Sequence, residues 1–238
     1  MDKLKRIVSD RQWYHTSAPL KVFEGRLKDM IFLEGTILTQ KNMNSSTKNE
    51  ARKQYVIMLV TCYETYTREM FKILINEELV AIPKIKKMKD VKFAIEEIEY
   101  IKKNNIELSE LLAEYINFQN FEEVLEIFKN FGLNKKIDES LNNRDGVMPL
   151  PDSIFKNKKI DSETFVIEFF KQMTLHNKID KEYLFHQIRL LLGIRHKIIH
   201  KNIDITIEQE DLLTFTLAIY EIVMILDRFV QDMTSSPP

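Results

Sequence analysis

The stretch that decides how the chain is read is Leu184-Phe185-His186-Gln187-Ile188-Arg189-Leu190-Leu191-Leu192-Gly193-Ile194-Arg195-His196-Lys197-Ile198-Ile199-His200. Taken at ~100° per residue, Leu184, Ile188, Leu191, Leu192, Ile198 and Ile199 form one apolar stripe. Arg195 falls in the middle of it, where a core residue belongs. Glu182, His186, Arg189, Gly193, His196 and His200 lie on the opposite side. A guanidinium on a packed face is costly without a strong acceptor.

Outward from this stretch the chain reads all-α. It has only 5 Gly and 6 Pro, and no alternating apolar pattern bounded by turn residues. The first ten or so residues form a short helix. Ser17 with Pro19 starts a firmer one towards Leu38, and Gln40 to Ser46 is a polar loop. Thr47-Lys48-Asn49-Glu50 has capping-box spacing and opens a long central helix to about Ala81, ended by Pro83. Its middle is apolar on nearly every side. Glu64 nonetheless shares a face there with Ile57, Val60, Phe71 and Ile75, and is the obvious partner for Arg195.

Two or three shorter helices follow between Val91 and Phe131, with Gly132 as the residue that ends them. Leu133 to Ile160 reads as a loop or an insertion, with Asn142-Asn143-Arg144-Asp145-Gly146, Pro149 and Pro151 as breakers. A helix from Asp161 or Ser162 runs to about His176, and Asp180 caps the one carrying the opening motif. Thr206-Ile207-Glu208-Gln209 is a second capping box and opens the last helix to about Met233. The expected arrangement is one domain, with a core at about 17–81 and 161–233 and an insertion at about 84–160.

Bulk properties narrow the function. At 44% hydrophobic and 30% charged, with a net charge of −1, the chain advertises no global attraction to nucleic acid or membrane. Local basic clusters at Lys84-Ile85-Lys86-Lys87-Met88-Lys89 and at Lys156, Lys158 and Lys159 read as solvated linkers or as contacts to an RNA backbone. Cys62 is the single cysteine and reads as a buried hydrophobe, consistent with a reducing compartment. Leu212 to Val230 is broken by Glu221, Asp227 and Arg228, so it is no membrane span. No apolar leader follows Met1. The expected location is the cytoplasm.

There is no Gly-rich phosphate loop, no His-Glu-x-x-His and no nucleophile elbow. A metal site from His186, His196 and His200 lacks a carboxylate or cysteine at ligand spacing, so neither metal nor cofactor is expected. Arg195 and His200 stand ~140° apart around an unbroken helix. They serve one site only if the helix ends between them, or if a symmetric dimer brings two copies of each together.

Arg195-His196-Lys197-Ile198-Ile199-His200 resembles the Arg-x4–6-His motif of the HEPN superfamily, all-α domains many of which are metal-independent ribonucleases. His196 matches the polar residue often found after the motif arginine. Arg189 and His196 also satisfy the spacing; the out-of-place Arg195 favours the Arg195/His200 match. Tyr55 to Ile75 with Glu64 resembles the long central helix of the RiboL-PSP-like branch. The resemblance covers residues 46–81 and 180–233.

It implies an HEPN-like helical bundle that cleaves RNA by attack of the ribose 2′-OH, leaving a 2′,3′-cyclic phosphate and a 5′-hydroxyl. Arg195 would clamp the phosphate, since its fork donates two bonds and stays charged. His200 would act as general base or acid, a task that suits imidazole near neutrality. His196 would contact the phosphate or orient its neighbours, with Glu64 and Arg189 in support. A homodimer acting as a prokaryotic toxin or antiviral defence effector is expected, with an antitoxin or defence-complex partner. Asn202 occupies the place where some relatives carry a tyrosine that the antitoxin modifies. The other reading is a non-catalytic module of the same shape that binds protein or RNA, with the arginine in a structural salt bridge.

Overall fold

The computed structural model describes residues 1–14, 18–39, 42–77, 92–142, 181–201 and 205–235. Among them no strand is present, and the chain is an all-α bundle. Its elements are α1 (Asp2–Tyr14), α2 (Pro19–Thr39), α3 (Ser45–Asn76), α4 (Ile95–Lys103), α5 (Leu108–Ala113), α6 (Phe121–Lys129), α7 (Leu133–Asn142), α8 (Lys181–His196), a π-helical turn (Lys197–Lys201) and α9 (Gln209–Ser235).

α3 is the axis of the bundle. At 32 residues it is ~48 Å long, and α2, α5, α8 and α9 all pack against it. That encirclement explains why its sequence is apolar on nearly every side. Tyr55, Val56, Leu59, Val60, Tyr63, Phe71 and Leu74 are all buried along it. Each such side chain contributes about 1.5–3 kcal/mol relative to exposure. Cys62 is buried here too and its thiol is free, as expected.

Two helix starts differ from expectation. The N-cap of α3 is Asn44, not Thr47: the Asn44 side chain accepts from the Thr47 backbone N–H at 2.8 Å. Glu50, the presumed reciprocal member, instead takes the ammonium of Lys53 at 2.6 Å. Asparagine is as good a cap as threonine, and the one placed earlier wins because Ser45 and Ser46 can be helical. At α9 the Glu208 N–H is met by Asp211 Oδ2 at 3.4 Å, so the box is shifted two residues past Thr206. α3 ends at Asn76, with Glu77 as its C-cap.

Leu133 to Asn142 is a helix rather than a loop. α6 ends at Lys129 with Asn130 as its C-cap, earlier than expected, and Gly132, at φ +96, closes the turn that leads into α7. Leu133 and Ile137 are buried and Leu141 packs beside them, an i, i+4, i+8 stripe. The stretch read as an insertion shares its core with α3 and α9: Leu112, Ala113, Ile116, Phe118, Phe121 and Phe128 lie in the same buried cluster. The Lys84–Lys89 connector, Pro83, Lys156 to Lys159, the helix expected from Asp161 to His176, Asp180 and Asn202 lie outside the described residues.

Two polar contacts position the site. Asn49 on α3 donates to Ile205 O at 2.8 Å and accepts from the Ile207 N–H at 2.9 Å. Arg52 donates to Ile207 O at 2.9 Å and to Glu34 at 3.3 Å. The segment leaving the motif is thereby fastened to the start of α3. At the other end, Tyr66 donates to Asp227 at 3.0 Å and Gln231 to the same carboxylate at 2.6 Å.

Asn49→Ala removes both bonds of that fastening and leaves the Ile207 N–H unmet, so a loss of about 1–3 kcal/mol is expected, read by urea denaturation. Burial raises the Asp227 carboxyl pKa, opposed by the Tyr66 hydrogen bond. A carboxyl raised in the folded state stabilises below the ordinary aspartate range, and that stability is lost as pH rises through the raised value. Asp227→Asn should therefore remove the loss of stability that this carboxyl causes as pH rises from the ordinary aspartate range, read by urea denaturation across that rise.

Candidate active site

α8 reaches the site with its packed side set by Leu184, Phe185, Ile188 and Leu191, all buried. The expected stripe holds to Leu192 and Ile198, which pack partly buried on the core, and fails at Ile199, which is 42% exposed. The cause is the backbone. The α-helix stops at His196 and continues as a π turn from Lys197 to Lys201. There the hydrogen bonds run i→i+5, each residue turns through less than ~100°, and the later side chains lag behind the ideal projection.

The same change bears on Arg195 and His200. Their separation of ~140° assumed an unbroken helix. In the π register residues five apart are hydrogen-bond neighbours, so the angle between these two shrinks. The condition that the helix end between them is met. His196 and His200 come into ring contact, with centroids 4.8 Å apart and planes at 44°. Both histidines are exposed, as is His186, and Arg195 is half-buried between them and the core.

Arg195 meets the bundle through Gln119, in the turn between α5 and α6. Its Nη1 donates to Gln119 Oε1 at 2.6 Å, while its Nε is buried with no hydrogen-bond partner among the described residues. Glu64 is half-buried on α3, and the same Gln119 side chain favours its charged form. Its Oε1 is also buried with no partner. Burial pushes the Glu64 carboxyl pKa upward, against the pull of the Arg195 charge, the Gln119 hydrogen bond and the more distant Arg68. Glu64 therefore feels the Arg195 charge, with no direct ion pair between the two. Arg68 itself is committed to Glu114 at 2.7 Å and lies over the Phe118 ring.

Arg189 is held elsewhere. Its Nε donates to Glu122 at 2.6 Å, and its guanidinium lies 6.0 Å from the Phe121 ring centre and 5.7 Å from that of Phe185. It fastens α8 to α6 and stands apart from the Arg195–Gln119–Glu64 chain. Among the described residues, no three His, Cys, Asp or Glu side chains come together to hold a metal ion.

Gln119 is the member that sequence reading missed. Glutamine in a polar turn carries no spacing signature. The available hint was Asn117-Phe118-Gln119-Asn120, two asparagines flanking a buried aromatic, which marks a locally hydrogen-bonded turn.

Comparison with known proteins places this arrangement. Two curated relatives, both aminopyrimidine aminohydrolases and each from a strain of Staphylococcus epidermidis, are 32% identical over 97 residues. The match covers 41% of this chain and 38% of each relative, so the chain spans well under half the length of the curated relatives it matches. No solved structure matches it. The RiboL-PSP-HEPN family model matches residues 23–232, from α2 to the end of α9, and takes in both Glu64 and the Arg195–His200 motif. The chain belongs to the RiboL-PSP-HEPN family, a membership that supports a nuclease or RNA-related role.

Proposed function

We propose that the protein is a metal-independent endoribonuclease whose centre is Arg195, His196 and His200. One observation supports the reading: two exposed imidazoles in ring contact stand at the end of α8 beside an arginine that is held by a side chain from the turn before α6. Arg195 binds the scissile phosphate and offsets charge gathering on its oxygens. His200 takes the proton from the ribose 2′-OH; the 2′-oxygen bonds to phosphorus as the bond to the 5′-oxygen breaks. A second imidazole, His200 of another copy in a symmetric dimer, gives its proton to the departing 5′-oxygen. His196, packed on His200, orients it and reaches the phosphate. Glu64 supports Arg195 from the core.

A centre of this kind at a dimer seam suits a growth-arresting toxin or antiviral effector of a prokaryote, restrained by an antitoxin or defence partner. The cytoplasm, where RNA is available, is the matching location. Among the described residues no helix is long and apolar enough to cross a membrane.

The test is cleavage of single-stranded RNA by the purified chain. Products should carry a 2′,3′-cyclic phosphate and a 5′-hydroxyl, and EDTA should have no effect. Arg195→Ala and His200→Ala should each lower kcat/KM by about 10²–10⁴-fold with an unchanged circular dichroism spectrum. Chelator-sensitive cleavage, or activity that survives His200→Ala, would overturn the mechanism. A wild-type chain that is harmless on expression and leaves RNA intact would point instead to an interaction module. The dimer reading is checked by dilution: specific activity should fall as the concentration drops below that of dimer dissociation. Constant activity in monomer would overturn it.

A further inference from the structure

We infer that Gln119 is the positioning residue of this centre: its amide oxygen holds the Arg195 guanidinium and keeps it from closing into a direct ion pair with Glu64. The inference deepens the ribonuclease reading and rests on it for the task given to Arg195.

The geometry contains a choice that simple charge attraction would not make. Arg195 Nε and Glu64 Oε1 are a donor and an acceptor, both buried and both without a partner. A forked carboxylate–guanidinium pair would satisfy both and is among the stronger polar contacts available. Gln119 takes up the Arg195 fork instead, accepting from Nη1 at 2.6 Å, and its amide also favours the charged form of Glu64. A fork committed to a carboxylate has fewer donors left for a phosphate, and its charge is already offset. A neutral amide can aim the same guanidinium without cancelling its charge. Glu64 still attracts Arg195 through the gap, which holds it towards the core.

Gln119 is able to do this because its backbone is fixed from both sides. Its N–H donates to Asn117 Oδ1 at 3.1 Å, and the Asn117 N–H donates to Glu123 Oε1 at 3.0 Å. Asn120 caps α6, accepting from the N–H groups of Glu122 and Glu123 at 3.1 and 3.3 Å. Phe118, beside it, is buried in the main core. The turn is therefore a rigid mount that projects one amide towards the motif. Gln119 is itself exposed, so substitutions there leave the core untouched.

The experiment uses the full chain labelled with ¹⁵N, and follows the Arg195 Nε–H resonance, assigned by its loss in Arg195→Lys. Affinity for a single-stranded RNA blocked by 2′-O-methyl groups is measured on the same samples, and kcat/KM on unmodified RNA. With Gln119→Ala, Arg195 falls back onto Glu64: the Nε–H resonance shifts and RNA affinity drops about tenfold. Adding Glu64→Gln removes the competing carboxylate and restores affinity to within about threefold of wild type. Gln119→Glu, which places a carboxylate on Arg195 directly, weakens binding at least as much as Gln119→Ala.

A rescue by Glu64→Gln is not what a residue that merely stabilises the turn would give. An Nε–H resonance unmoved by Gln119→Ala overturns the inference, as does a lost affinity that Glu64→Gln fails to restore. If wild-type protein neither binds nor cuts RNA, the ribonuclease reading falls alone, and the resonance still decides whether Gln119 separates the two charges.

Discussion

Everything in this bundle depends on the enclosure of α3. A helix packed by four neighbours encloses much of its middle, and each polar group enclosed there must find a partner on another element or bear the cost of burial. The structure meets that demand along its length. Asn49 and Arg52 reach the segment before α9. Tyr55 shares a hydrogen bond with Thr216 at 2.8 Å, and Tyr66 gives one to Asp227. All of these contacts run to α9 or the segment just before it, which is how a helix from early in the chain and the last one come to share one core.

Glu64 is where the demand is met least completely. One carboxylate oxygen stays without a partner, its proton affinity is raised by burial, and the nearest cation is reached only through Gln119. Fully satisfied buried groups rigidify a fold; incompletely satisfied ones mark places where something other than stability shapes the arrangement. That Arg195 shows the same deficit, on the partner side of the same amide, ties the two together. The touching histidines lie one step further out, at the surface.

Much of this was legible in the sequence, for physical reasons that can be named. The start of α2 follows from Pro19 and the turn after α6 from Gly132, whose backbone preferences owe little to tertiary context. The enclosed character of α3 follows from apolar residues on every side. Glu64 and Arg195 stood out because a charge on a packed face is expensive wherever the fold puts it. What was illegible depends on longer-range choices. Asn44 and Thr47 are equally good caps, and only the path of the preceding chain decides between them. α7 has the stripe Leu133, Ile137 and Leu141, but few helix-favouring neighbours beyond it. The π turn has no residue signature, because Lys197-Ile198-Ile199-His200-Lys201 would sit equally well in an α-helix. Gln119 comes from a distant turn and could be found only in three dimensions.

The fastening of Ile205 and Ile207 to Asn49 and Arg52 has a consequence for how the motif can move. Arg195 is anchored through Gln119 on one side of the π turn, and the chain is pinned to α3 shortly after the other. The two histidines therefore ride on a short span supported at both ends, like a plank between trestles. A displacement of one imidazole is passed to the other through their ring contact, so the pair responds as a unit rather than as two separate side chains.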